Sequence, residues 1–267
     1  MMEPSTRKLE TIIIDKKERI ATITLNRPEK LNAMSPELIL DLIEAFDDVD
    51  KDEDIRVMII TGAGRAFLAG GDVEKDIKPL ADKSSSDFYA YIKQADKFYK
   101  ALLEMEKPTI AAINGHAVGA GLDLALTCDI RIASEKAKLG QFFVRMGLVP
   151  EAGAYLMPRL VGLGRAKLLS FTGDLVDAQE AERIGLVEQV VAPDELMPTA
   201  WALASRLAKG PKSIGFIKKQ LNEAMGMSFG SALDLAIHLQ YQCAHTEDHK
   251  EAVNAFLEKR KPLFKGK

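Results

Sequence analysis

Two short segments, IRVMIIT at residues 55–61 and TIAAI at residues 109–113, are almost wholly apolar, and each runs straight into a glycine-rich stretch. Runs of this length, rich in β-branched residues, have the pattern of strands buried on both faces. Such strands belong to layered α/β proteins in which helices cover a largely parallel sheet. The stretches that follow are GRAFLAGGD at residues 64–72 and NGHAVGAGLD at residues 114–123. Glycine lets a turn reach positive φ and lets a ligand approach the backbone closely. A turn that opens a helix also presents free N–H groups at the positive end of the helix dipole. Two such turns can aim two N–H groups at one oxygen, the arrangement that stabilises a developing oxyanion. The bland alternatives are plain strand-to-helix turns or a dinucleotide fingerprint. Gly115, Gly119 and Gly121 do not have the GxGxxG spacing of the latter.

The rest of the chain fits the same frame. Residues 9–15 and 19–25 alternate as a hairpin around a charged turn at 16–18. Ser35 and Pro36 open a helix whose apolar spacing runs to Phe46. A polar stretch at residues 83–86 reads as mobile, and a long helix is expected over 87–105. Further strands are expected at 129–133 and 187–191, and only helical patterns from residue 193 onward. The expected organisation is a core of strand–strand–helix units over residues 1–192 and a helical module over 193–267.

Composition narrows the function. With 267 residues, 47% hydrophobic and 28% charged, the chain buries a sizeable core. Its net charge of −3 and lack of a basic stripe argue against a nucleic-acid partner. The longest apolar stretch, residues 117–128, is broken by Asp123 and is too short to span a bilayer. Cys128 and Cys243 suggest neither a disulfide framework nor a metal site. The first ten residues are polar, with no secretory segment, so a soluble cytoplasmic protein is expected.

Five segments in order resemble the crotonase superfamily, the enoyl-CoA hydratases and isomerases. RPEKLNAMS (27–35) is similar to the family's CoA-binding segment, and GRAFLAGGD and NGHAVGAGLD to its two oxyanion turns. LTCDIRIAS (126–134) is similar to the strand that follows, and FLEKRKPLFKGK (256–267) to the C-terminal signature. The resemblance implies an α/β spiral of strand–strand–helix units with a C-terminal helical oligomerisation module. It also implies an acyl-CoA substrate and a homo-trimer or a hexamer built as a dimer of trimers. The oxyanion donors would be the backbone N–H groups of Ala69 and Ala120. Lys30, Leu31, Ala66, Gly70, Asp72 and Val73 fall where the family holds CoA, and a cation such as Lys30 suits its phosphates. Phe256 and Lys259 match positions that reach CoA from a neighbouring subunit. CoA is then part of the substrate, with no separate cofactor or metal.

The carboxylates choose the reaction. Family hydratases use two Glu side chains; Asp123 stands at the first position and Phe143 at the second. A phenyl ring neither holds nor protonates water. Glu151 lies eight residues beyond Phe143, in GLVPEAGAYLMPRLVG, where the resemblance places the acid of isomerases that move a double bond. Syn-hydration is helped by two acid/base groups, whereas a 1,3-proton shift needs one carboxylate in an apolar pocket. The expected reading is an enoyl-CoA isomerase with Glu151 as proton shuttle and Asp123 assisting or positioning it. The alternatives are a hydratase using Asp123 and Glu151 and other enolate chemistry, such as dehalogenation, decarboxylation or ring opening. From another class comes a non-catalytic RNA-binding relative. His116, inside the second turn, is read as structural.

Overall fold

The computed structural model describes residues 3–267; Met1 and Met2, on which the polar opening segment and the 1–192 division begin, lie outside the described residues. The strands are β1 (Ser5–Lys8), β2 (Ile12–Lys17), β3 (Ile20–Leu25), β4 (Val57–Gly62), β5 (Ala66–Leu68), β6 (Thr109–Ile113), β7 (His116–Val118), β8 (Ile130–Ser134), β9 (Lys138–Gly140), β10 (Val176–Asp177) and β11 (Gln189–Val191). They form a seven-stranded sheet of order β1-β2-β3-β4-β6-β8-β11 and a four-stranded sheet of order β10-β9-β7-β5. From β3 to β11 the large sheet is parallel, and β1–β2–β3 is an antiparallel meander at its edge. The helices are α1 (Pro36–Lys51), α2 (Ser85–Glu104), α3 (Ala120–Thr127), α4 (Ala152–Val161), α5 (Leu163–Thr172), α6 (Ala178–Arg183), α7 (Leu196–Ala208), α8 (Ser213–Ala224), α9 (Phe229–Ala244) and α10 (Glu247–Leu257).

The apolar runs are explained by two cores. Met58, Ile60, Ala111 and Ile113 face a cluster with Leu38, Leu42 and Phe46 of α1 and Phe98 and Leu102 of α2. The alternate residues Val57, Ile59, Ile110 and Ala112 face a second cluster with Leu196, Ala200, Ala204 and Ala208 of α7. A strand whose alternate side chains both meet helices has no polar face to show. Packing therefore continues past residue 192, because α7 covers the sheet itself.

Local signals explain most element ends. Ser35 caps α1, accepting from the Leu38 N–H at 3.3 Å, with Pro36 in the first turn. The helix runs past Phe46 because Val49 extends its buried stripe. Residues 83–86 are ordered by the same device: Ser84 caps α2, accepting from the Asp87 N–H at 3.2 Å. The β2–β3 hairpin turns at Glu18 and Arg19, both at positive φ, the two-residue geometry that matches strand twist.

The small sheet was not expected. Its strands β5 and β7 lie inside the two glycine-rich stretches, and the pairs β4–β5, β6–β7 and β8–β9 each give one strand to each sheet. The tail also differs in detail. Leu203 and Leu207 pack on the second core and Leu239 is buried within the chain, whereas Leu221 stays well exposed. The exposed apolar row is instead Phe229, Leu233, Ile237 and Tyr241 on α9, one residue per helical turn. No helix among the described residues is long and apolar enough to cross a membrane.

Candidate active site

The two glycine-rich stretches meet because β5 and β7 pair in parallel, Ala66 beside His116 and Leu68 beside Ala117. Residues following each strand therefore emerge side by side. Gly121 makes the approach possible: a Cβ there would sit 1.9 Å from the Leu68 carbonyl oxygen. Gly119, at φ 55, turns the chain into α3, leaving the Ala120 N–H in the unbonded first turn.

In the first stretch the free donor differs from the one expected. The Ala69 N–H donates to the Leu31 carbonyl at 3.1 Å and is unavailable to a ligand. Met34 then bridges Gly71: the Met34 N–H donates to the Gly70 carbonyl at 2.8 Å, and the Asp72 N–H to the Met34 carbonyl at 2.7 Å. In a parallel bridge the flanking residues make these bonds, so the Gly71 N–H points away from Met34. Gly71 and Ala120 both line one cavity of about 240 Å³, and Ala69 does not. The N–H of the first stretch that is free to face the cavity is that of Gly71, not that of Ala69, the residue expected from the sequence.

The cavity is walled by Phe88, Phe98, Tyr99, Phe143, Leu148 and other apolar side chains, with Glu151 among them. Glu151 precedes α4, and its carboxylate makes no cap bond to that helix. Burial pushes its carboxyl up to about 7, helped by the negative charges of Asp123, Asp96 and Asp76. Tyr99 acts in the opposite direction: its hydroxyl lies near enough to favour the charged form, yet it is buried with no bond of good geometry. Phe143 sits on a 3-10 turn, Phe142–Met146, and lines the cavity.

Asp123, expected to assist Glu151 or to position it, has both carboxylate oxygens occupied. It is fully buried on α3 and does not line the cavity. Oδ1 accepts from Gln141 Nε2 at 2.7 Å, and Oδ2 accepts from the Glu151 N–H at 3.0 Å. Burial pushes its carboxyl up to about 6, against the pull of Gln141 and the Gly153 and Glu151 N–H groups. Gly153 leaves the room for this: a Cβ there would lie 2.1 Å from Oδ1. Asp123 thus fixes the backbone that carries Glu151. His116 belongs to β7 and is not a cavity wall.

The expected CoA residues divide into accessible and supporting groups. Lys30 is exposed at the end of a 3-10 turn, Pro28–Lys30, and Leu31 follows at φ 53. Gly70 is half-buried and Val73 is exposed. Ala66 has no exposed surface, and its carbonyl accepts from Asn32 Nδ2 at 2.8 Å and Asn114 Nδ2 at 3.2 Å. Asp72 is a support, paired with Arg27 at 2.9 Å and capping the π-helical turn Val73–Ile77 through the Glu74 and Lys75 N–H groups. Burial opposes its charge, but Arg27 and those N–H groups hold the carboxyl below its ordinary value. Phe256 and Lys259, at and beyond the end of α10, do not line the cavity of the single chain. Asn32, Asn114, Tyr99 and Gly71 escaped the sequence reading. An Asn or Gly inside a turn motif does not show which of its atoms is already bonded.

A family model described as enoyl-CoA hydratase/isomerase matches residues 15–267. Crotonyl-CoA hydratase of Syntrophomonas wolfei is 40% identical over 258 residues, covering 96% of this chain and 98% of the relative. The 1,2-epoxyphenylacetyl-CoA isomerase of Escherichia coli is 37% identical over 266 residues, covering 97% and 100%. The crystal structure of an enoyl-CoA hydratase from Bacillus anthracis superposes with a TM-score of 0.89 at 33% identity, covering 97% of this chain and 100% of that one.

Proposed function

The chain belongs to the enoyl-CoA hydratase/isomerase family, and on that premise we propose that it is an enoyl-CoA isomerase in which Glu151 carries one proton between two carbons. The observation that supports this most is that the Glu151 carboxyl, pushed up by burial, shares an apolar cavity with Gly71, Ala120 and the Phe143 ring. The thioester oxygen of a 3-enoyl-CoA accepts from Gly71 and Ala120. Glu151 removes a proton from C2, and the electron pair spreads over the dienolate with its charge on that oxygen. The now protonated Glu151 returns the proton to C4, leaving the 2-enoyl isomer. The paired N–H groups stabilise the enolate most, which lowers the barrier rather than merely binding substrate. The shift is redox-neutral, and CoA enters as part of the substrate.

A hydratase is the rival, and the name of the Syntrophomonas wolfei relative favours it. Against it, both Asp123 oxygens are occupied and the group has no exposed surface. The substrate pair decides. A 3-enoyl-CoA should become its 2-enoyl isomer without incorporating oxygen from ¹⁸O-water. Efficient conversion of a 2-enoyl-CoA to ¹⁸O-labelled 3-hydroxyacyl-CoA overturns the isomerase reading.

The same premise extends to assembly. We propose a homo-trimer or dimer of trimers that covers the exposed α9 row and brings Phe256 and Lys259 to a neighbour's CoA.

A further inference from the structure

The cavity holds a polar group that the proton shift does not use. Asp76 lies half-buried on the π-helical turn Val73–Ile77 and lines the cavity with Tyr91 of α2. The Tyr91 hydroxyl donates to Asp76 Oδ1. Oδ2 has no hydrogen-bond partner among the described residues and stands beside the Gly71 turn, 2.7 Å from where a Cβ on Gly71 would be. Tyr99, only 7% exposed, supplies a second unsatisfied polar atom to the same cavity. Tyr99 Oη is a buried polar atom without a partner, which is rare and costly, and with the open Asp76 oxygen on the same cavity it points to a ligand that completes both.

We infer that the Asp76–Tyr91 pair is a recognition site for a hydroxyl on the acyl group, and that the preferred acyl-CoA carries a hydroxylated aromatic ring. This rests on the acyl-CoA reading of the cavity. Phe88, Phe98, Phe143 and the two tyrosines offer ring faces and edges to a flat group. Oδ1 already takes a phenol, that of Tyr91, and Oδ2 is open to take another. A hydroxyl both donates and accepts, so it suits either protonation state of Asp76; an ammonium group suits only the ionised one. A pocket built to bond a hydroxyl rejects the analogue lacking it, because the buried group is then left unpaired.

Calorimetric titration with phenylacetyl-CoA, 3-hydroxyphenylacetyl-CoA and 4-hydroxyphenylacetyl-CoA tests this, with exchange of the C2 protons in D₂O followed in parallel. One hydroxylated probe should bind about tenfold or more tightly than phenylacetyl-CoA. In Asp76→Val that ratio should fall to near one. Asp76→Asn keeps an acceptor for Tyr91 and should show a smaller loss, which serves if Asp76→Val does not fold. Equal or weaker binding of both hydroxylated probes, or a preference that survives in Asp76→Val, overturns the inference. C2 exchange without a hydroxyl preference sinks this inference and leaves the enolate reading standing. A hydroxyl preference without C2 exchange does the reverse.

Discussion

Glu151 is held by its surroundings near the protonation midpoint of neutral pH, and its neighbours set the direction of every shift. As the base it must be ionised, so kcat/KM should fall as pH drops through about 7. Tyr99→Phe removes the group favouring the charged form, so this acid limb should move to higher pH. Asp123→Asn removes a nearby negative charge, so the limb should move to lower pH while the loosened Glu151 backbone lowers kcat. Glu151→Gln should cost roughly 10²–10⁴-fold in kcat. Its stability carries an independent sign. The folded carboxyl is raised from 4.5 to about 7, so its contribution is fully present below 4.5 and lost as pH rises through 7. At pH 8 Glu151→Gln should therefore unfold at higher denaturant than wild type, by on the order of 1–2 kcal/mol, with the gain gone near pH 4. At this scale the sequence reading put Phe143 at the second acid position and the candidate base, Glu151, eight residues beyond it. It did not show that Asp123 is tied down, because the bonds to Gln141 and the Glu151 N–H close only in three dimensions.

Among the elements, the β5 and β7 strands do the positioning, and they were the least legible. Three residues inside a glycine-rich stretch carry too little periodicity to read as a strand, whereas β6 was read to the residue and α1 from its cap onward. The same blindness misplaced the first donor. Ala69 and Gly71 look equivalent in AGGD until the Met34 bridge assigns their N–H groups. Ala120 stands at the first position of α3, where proline fits a helix without breaking it. Ala120→Pro should fold, as judged by its far-UV spectrum, yet lose about a hundredfold or more in kcat. A separate element makes a neutral control. Glu18 and Arg19 occupy left-handed backbone suited to Asn-Gly, so Glu18→Asn with Arg19→Gly should stabilise the hairpin by about 0.5–1 kcal/mol. Thermal unfolding should register it, with activity unchanged.

For the whole molecule, two cores on one sheet explain why the α/β class was legible from apolar runs alone, and why the break at residue 192 is not a break in packing. The exposed row Phe229, Leu233, Ile237 and Tyr241 on α9 is the surface that the proposed assembly would cover. Light scattering at micromolar concentration should give a trimer or hexamer, and Ile237→Asp should shift it toward monomer; a wild-type monomer contradicts the assembly. Within that assembly the central claim is that Glu151, in a cavity shielded by aromatic walls, takes a proton from C2 and returns it to C4. The direct test is a 3-enoyl-CoA deuterated at C2, turned over in ordinary water and analysed for deuterium at C4 of the 2-enoyl product. Transfer of a measurable share of the label to C4, abolished in Glu151→Gln, is the predicted result. Product formed at the wild-type rate by Glu151→Gln, or hydration as the dominant outcome, would contradict it.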